Sequence, residues 1–89
     1  ESLTAILEAA GAKPGEGGWI SLADGRAMTL HLVRAGVGLQ IGRVEAVREV
    51  SGLARARTQK GEEYVFSAAD VFAVLVEAPA AQARKAGFV

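Results

Sequence analysis

The sequence predicts a mainly β protein: a small antiparallel β-barrel of five to six short strands with a short helix at each end. Two observations lead to this prediction. Between residues 19 and 77, short runs of alternating apolar and polar residues are separated by tight-turn signals. The segments on either side of this region are amphipathic or rich in alanine. The chain has 89 residues, which suits a single domain over residues 1–89 with a small core.

The first element is a short amphipathic helix over residues 2–11. Leu3, Ile6 and Leu7 fall on one face of an α-helical period. Ser2 is a suitable N-cap residue for this helix. The apolar face can either cover an edge of the barrel or dock on a second copy of the chain. We therefore take Leu3, Ile6 and Leu7 as candidate self-association residues.

A loop over residues 13–18 leads into the first predicted strands. Its glycines do not indicate a phosphate site, because a strand pattern and not a helix follows them. The run 19–23 ends at Asp24-Gly25, a dipeptide typical of two-residue hairpins. The next strand, 27–34, places three apolar side chains on one face, namely Met28, Leu30 and Leu32.

The clearest irregularity lies within residues 37–50. The apolar alternation of residues 37–41 changes parity after Gly42. A parity change beside a glycine is typical of a β-bulge or a sharp strand bend, which small barrels use to close. A helix over residues 44–50 is the alternative, and its three valines disfavour it.

The remaining elements continue this alternation of runs and turns. We predict strands at 53–58 and 64–66, a capped helical turn at 67–70 and an alanine-rich helix at 79–87. The run 71–77 is apolar on both parities, so it fits either a fully buried strand or a core helix. Its valines favour the strand.

Charge is unevenly distributed although the net charge is zero. Residues 26–60 carry a balance of +5, whereas both ends of the chain are acidic. Arg55 and Arg57 point to the same side of a predicted strand. With their neighbours they form a candidate basic face for binding a partner, made of Arg48, Arg55, Arg57 and Lys60.

Two interpretations of this basic face remain open. It can follow a phosphate backbone or an acidic partner. Alternatively, it is a solvated face whose arginines pair across to Glu62 or Glu63. Single-strand binders stack bases on aromatic rings, and we assign most of the few aromatic residues of this chain to the core.

No constellation for catalysis or metal binding is evident. His31 is the only histidine, and a metal site needs three or four converging ligands. The carboxylate pairs Glu62-Glu63 and Glu45 with Glu49 lie among lysines and arginines, which is typical of a solvated face. We therefore expect no enzyme activity, no catalytic residue, no cofactor and no metal. An enzyme that uses His31 is the least favoured class.

The composition indicates in which cellular compartment we expect the protein to work. The chain has no cysteine, and hence no disulfide and no thiolate metal site. Its longest apolar run, 71–76, is far shorter than the roughly 18 residues of a membrane span. We expect a cytoplasmic protein without membrane insertion.

Two segments, 41–47 and 64–71, carry a glycine-x-valine strand and an Asp-Val step into the last strand, with a hairpin between them. In this pattern residues 37–77 resemble the PRC-barrel family. A shorter match, residues 32–39 with 44–50, resembles the first strands of CheW-like coupling domains. Both resemblances imply β-barrel modules that bind other proteins without catalysis, and neither implies catalytic residues.

Together these observations predict a non-enzymatic protein–protein interaction or adaptor module. We expect it to self-associate and to present a strand edge or the basic face to a protein partner. The alternative is a small nucleic-acid-binding barrel that uses the same basic face.

Overall fold

The computed structural model describes residues 2–77 and shows a mainly β chain built on an antiparallel sheet of seven strands. The α-helix of this part of the chain, α1, spans Leu3–Ala9. The strands are β1 Lys13–Pro14, β2 Ile20–Ser21, β3 Met28–Arg34, β4 Val37–Val50, β5 Leu53–Thr58, β6 Glu63–Ser67 and β7 Val71–Val76. Short 3-10 turns span Glu16–Gly18, Ala23–Gly25 and Ala68–Asp70. The helix predicted at 79–87 lies outside the described residues.

The long strand β4 organises the sheet. Its first half pairs with β3, and its second half pairs with β5 on one edge and with β2 on the other. β7 extends the sheet beyond β3, and β6 extends it beyond β5. Within residues 2–77, β6 and β7 do not pair with each other. The sheet therefore curls into a half-barrel and does not close into the predicted barrel.

Two register shifts bend β4. The pairing with β3 shifts between Ile41 and Val44, where Arg43 adopts a φ of 58°. This confirms the bulge predicted from the parity change after Gly42, and a strand replaces the helical alternative for residues 44–50. A second shift, in the pairing with β5, lies between Val44 and Ala46. Each extra residue increases the local twist, which helps the sheet to curl.

Helix α1 covers one side of the core. The Ser2 hydroxyl accepts a hydrogen bond from the Ala5 N–H at 3.1 Å, which confirms the predicted N-cap. Leu3 and Leu7 are buried against the sheet, whereas Ile6 is partly exposed. Two of the three candidate self-association residues are thus covered by their own chain.

Among residues 2–77, no helix has the length and apolar character that a membrane-spanning helix needs.

The core is aliphatic and lies between α1 and the inner face of the curled sheet. Its largest fully buried side chains are Leu7, Met28, Leu30, Val44 and Val47. The phenylalanine, tyrosine and tryptophan side chains of the described residues are all half-buried or exposed; they are Trp19, Tyr64, Phe66 and Phe72. The expectation that most aromatic residues belong to the core is therefore wrong. Aliphatic side chains and small alanines fill the available space.

The turn at Asp24-Gly25 also differs from its prediction. Both residues have positive φ values of 61° and 66°, as a two-residue hairpin requires, but they lie in a 3-10 turn. The strand before them, β2, pairs with β1 and β4 and not with β3. The predicted run 19–23 is shortened to two residues, and part of the predicted loop 13–18 becomes its partner strand β1.

Strand β7 confirms the strand prediction for residues 71–77 but not its full burial. Phe72 and Leu75 are exposed although their strand parity differs, and the pairing of β7 with β3 shifts register between Val71 and Ala73. Beyond its end, a Glu77 carboxylate oxygen accepts hydrogen bonds from the Thr29 hydroxyl at 2.8 Å and the Arg43 N–H at 3.2 Å. Glu77 thereby supports the backbone of the first β4 bulge.

Candidate interaction surface on the outer face of the sheet

Residues along β5 alternate strictly between the two faces of the sheet. The alanines and the threonine of this strand are buried, whereas Leu53, Arg55 and Arg57 are exposed. The two arginines therefore share the outer face, as the sequence predicted. Period-two alternation sets this arrangement without help from distant residues.

The neighbouring strands complete this outer surface. Arg48 of β4 lies directly opposite Arg55, and Val50 lies opposite Leu53. On the other side of β5, Val65 of β6 lies opposite Arg55. We call this surface the arginine face; its members are Trp19, Ala46, Arg48, Val50, Leu53, Arg55, Arg57, Glu63 and Val65.

Trp19 lies against the arginine face just before β2. The Arg57 Cζ atom is 4.6 Å from the centroid of the indole ring, a cation–π distance. Ala46 faces outward in the register yet is almost fully buried, because Trp19 and Arg57 border it. Sequence reasoning missed this tryptophan by assigning the aromatic residues to the core. The sequence feature that could have indicated an outer position for Trp19 is that it directly follows the glycine-rich stretch 15–18.

The arginine face contains a shallow depression of about 560 Å³. Its aliphatic lining comes from Val50, Leu53 and Val65, which are 56%, 60% and 58% exposed. Trp19 and two arginines border the same space. Scattered exposed aliphatic residues are ordinary, but a contiguous group rimmed by polar residues marks interaction surfaces. These three side chains were not among the predicted site residues, although strand parity places them facing outward.

Two arginines of this face form ion pairs. The Arg55 Nη1 atom is 3.2 Å from Glu63 Oε2, and the Arg57 Nε atom is 2.9 Å from Glu45 Oε2. The first pair is the predicted cross-strand pairing. The second was not predicted, because the bulge in β4 sets the position of Glu45. All four side chains are substantially exposed, so each pair contributes little to stability.

Arg48 differs from the other two arginines. It makes no ion pair or side-chain hydrogen bond with any residue between positions 2 and 77. Gly18 lies close to its side chain: a Cβ added there would stand 3.8 Å from the Arg48 Nε atom. The guanidinium of Arg48 thus borders the depression without a compensating charge from the described chain.

Lys60, the fourth predicted basic residue, lies elsewhere. It occupies the exposed turn that joins β5 to β6 and does not border the depression. The structure therefore brings Arg48, Arg55 and Arg57 together on one face and leaves Lys60 outside it. The distribution of charge along the sequence does not show whether a basic residue lies in a strand or in the turn that follows it.

His31 lies on the outer side of β3, away from the arginine face. Its Nδ1 atom is 3.4 Å from Gln40 Nε2, and its ring centroid is 6.1 Å from that of Phe72. Among residues 2–77, no group of three or more His, Cys, Asp or Glu side chains is placed to hold a metal ion.

A second exposed apolar surface lies beside the β3–β4 hairpin. Leu32, Val37, Leu39 and Phe66 line a groove of about 320 Å³. Val37 and Leu39 are 70% and 55% exposed. We call this surface the hairpin groove. At the margin of the hairpin groove the Arg34 Nε atom is 2.8 Å from Asp70 Oδ2, and both residues line the groove.

Comparison of the chain with protein-family models, with curated proteins and with solved structures gives no match. The resemblances to PRC-barrel and CheW-like domains therefore stay predictions.

Proposed function

We propose that this chain is a non-enzymatic protein–protein interaction module whose arginine face binds a protein partner. The observation that carries this proposal is the contiguity of Val50, Leu53 and Val65, all more than half exposed on three adjacent strands. Trp19 and the arginines surround these aliphatic side chains. Tryptophan and arginine are the residue types that most often supply binding energy in protein interfaces.

The position of this surface within the sheet also suits binding. β5 lies between β4 and β6, so the backbone beneath the arginine face is hydrogen-bonded on both edges. A surface held in this way loses little conformational freedom when a partner docks. Less of the interaction energy is then spent on ordering the site.

The surroundings of His31 support the non-enzymatic part of the proposal. The Gln40 amide lies 3.4 Å from its Nδ1 atom, and the ring of Phe72 is its aromatic neighbour. Nucleophilic and acid–base sites usually place a carboxylate or a hydroxyl within hydrogen-bonding distance of the histidine. Among residues 2–77, neither group forms a hydrogen bond with this ring.

The proposal is tested by comparing the proteins that co-purify with the wild type and with Leu53→Asp. Leu75→Asp is the matched control, because Leu75 is equally exposed but lies on β7 outside the arginine face. We expect a partner that the wild type and Leu75→Asp retain and that Leu53→Asp loses. Calorimetry with that purified partner should show at least about tenfold weaker binding by Leu53→Asp. Partners that tolerate Leu53→Asp as well as Leu75→Asp contradict the proposal.

Nucleic-acid binding through the same face is the second candidate function. The observation in its favour is that Trp19 supplies an aromatic ring beside the arginines. Against it, Glu63 and Glu45 already offset two of the three arginines. Fluorescence anisotropy with a labelled 20-nucleotide oligothymidine tests this candidate. Binding that weakens linearly on a log–log salt plot and is reduced in Arg48→Gln supports it, and no binding at low salt rejects it.

Self-association remains part of the proposal, but through the hairpin groove and not through α1. Leu3 and Leu7 are buried by their own chain, whereas Val37 and Leu39 are exposed. The groove margin carries opposite charges, and a two-fold interface requires a self-complementary surface. A second copy can place its arginine against the aspartate of the first copy and its aspartate against the arginine.

A further inference from the structure

We infer that the arginine face recognises an acidic, extended partner segment whose carboxylate binds between Arg48 and Arg55. This inference rests on the interaction function proposed above and adds the chemistry of the partner. Aliphatic side chains of the same segment would occupy the depression lined by Val50, Leu53 and Val65.

The first support is the arrangement of charge. Arg48 and Arg55 are direct cross-strand neighbours on the same face. Directly opposed side chains have Cβ atoms about 4.5–5.5 Å apart, and like charges at this spacing repel. Glu63 compensates Arg55, but no residue between positions 2 and 77 compensates Arg48. An anion placed between the two guanidinium groups removes this repulsion and gains charge-assisted hydrogen bonds from both.

The second support is the access to Arg48. Gly18 has a φ of 81°, in the left-handed region that favours glycine, and its backbone borders the Arg48 side chain. The neighbouring Trp19 is held on Arg57, which keeps the indole at the side of the depression. Arg48 itself lines the depression, so a partner seated there meets its side chain.

The third support distinguishes a carboxylate from a phosphate backbone. Aliphatic side chains, those of Val50, Leu53 and Val65, line the depression together with Trp19. One uncompensated guanidinium matches one negative charge, whereas a nucleic-acid strand presents a charge at every nucleotide. In an extended peptide, residues two positions apart face the same side, so an acidic residue flanked at both such positions by leucine matches the surface.

The probe that follows from this geometry is the peptide acetyl-Leu-Thr-Asp-Thr-Leu-amide, with its Asn analogue as the uncharged control. Binding is measured by ¹⁵N–¹H NMR titration of the whole chain. We expect the Asp peptide to shift the amide signals of residues 48–55 and 65. Fluorescence of Trp19, the single tryptophan of the chain, gives a second readout of the same site.

The variants separate this site from general electrostatics. The Asp peptide should bind at least about tenfold more tightly than the Asn peptide, because only the carboxylate gains charge-assisted hydrogen bonds from the guanidinium groups. Arg48→Gln should remove that preference, because Glu63 already compensates the remaining Arg55. Lys60→Gln removes the same charge outside the depression and should preserve it.

Several outcomes overturn the inference. Equal binding of the Asp and Asn peptides, or a preference that survives in Arg48→Gln, excludes a carboxylate site at Arg48. No amide shift at the arginine face with either peptide also excludes it. If inorganic phosphate competes as well as the Asp peptide, the site binds anions in general and does not recognise a carboxylate. The Leu53→Asp comparison above is independent of Arg48, so the proposed function and this inference can fail separately.

Discussion

The guanidinium group of Arg57 stacks on the indole ring of Trp19, and its Nε atom donates to a carboxylate oxygen of Glu45. These contacts join the segment before β2 to β5 across the outer side of β4. Ala46 is buried beneath them although it points away from the core. The contact with Arg57 therefore holds the indole in place on the arginine face.

Arg57→Ala should uncover Trp19 and lower stability modestly. Loss of an exposed cation–π contact and an exposed ion pair costs about 1 kcal/mol in the free energy of unfolding. Arg55→Ala removes only an exposed ion pair and should cost less. Urea denaturation measures both, and tryptophan emission should shift to the red only in Arg57→Ala. Equal emission spectra for the two variants contradict the observed stacking.

Leu7→Ala should destabilise the fold strongly, because Leu7 is fully buried in the core. Truncation of a buried leucine costs about 2–5 kcal/mol. Ile6→Ala is the matched comparison on the same helix, and it should cost less than half as much because Ile6 is only partly buried. Urea denaturation with light scattering checks both stability and mass. A dimer that dissociates in Ile6→Ala at unchanged stability would return the self-association surface to α1.

Ala35→Asn should stabilise the β3–β4 hairpin. Ala35 and Gly36 have φ values of 51° and 81°, as a type I′ turn requires. Asparagine tolerates positive φ better than alanine, so the gain should be about 0.5–1 kcal/mol. Gly36→Ala introduces a Cβ at the second positive φ and should destabilise by a similar or larger amount. Thermal melting measures both changes, and shifts of the same sign would contradict the turn geometry.

Self-association through the hairpin groove predicts an exchange of charge partners between copies. Arg34→Asp makes the groove margin acidic, and Asp70→Arg makes it basic. Each variant alone should therefore be monomeric by light scattering, whereas an equimolar mixture of the two should form heterodimers. Both variants lose the same ion pair within the chain, so recovery in the mixture cannot come from that pair. A mixture that stays monomeric while the wild type is dimeric places the interface elsewhere.

The sequence predicts the local features of this fold well. Strand parity identifies the inner faces of β3 and β5, and the parity change after Gly42 identifies the bulge. The structure also has turns at Ala35-Gly36 and Ser51-Gly52, where Gly36 and Gly52 have positive φ values. These features depend on residues close together in the chain, which is why patterns of a few residues suffice.

Features that depend on distant residues were not predictable. Asp24-Gly25 has turn-forming residues, yet β2 pairs with β4 and not with the strand that follows it. The pairing of Arg57 with Glu45 depends on a bulge whose register only the folded sheet defines. Trp19 reaches the outer surface because aliphatic residues already fill the small core. A local sequence pattern does not show which apolar residues remain outside the core.

The central position of β4 in the sheet affects how the fold opens during unfolding. Its fourteen residues supply hydrogen-bonding partners to β3 at one end and to β2 and β5 at the other. The two halves meet at Val44, which pairs with Met28 of β3 and with Thr58 of β5. Amide hydrogens at the centre of β4 should therefore exchange with solvent only in the rarest, most global openings of the chain. Because both surfaces include residues of β4, we expect the arginine face and the hairpin groove to unfold together.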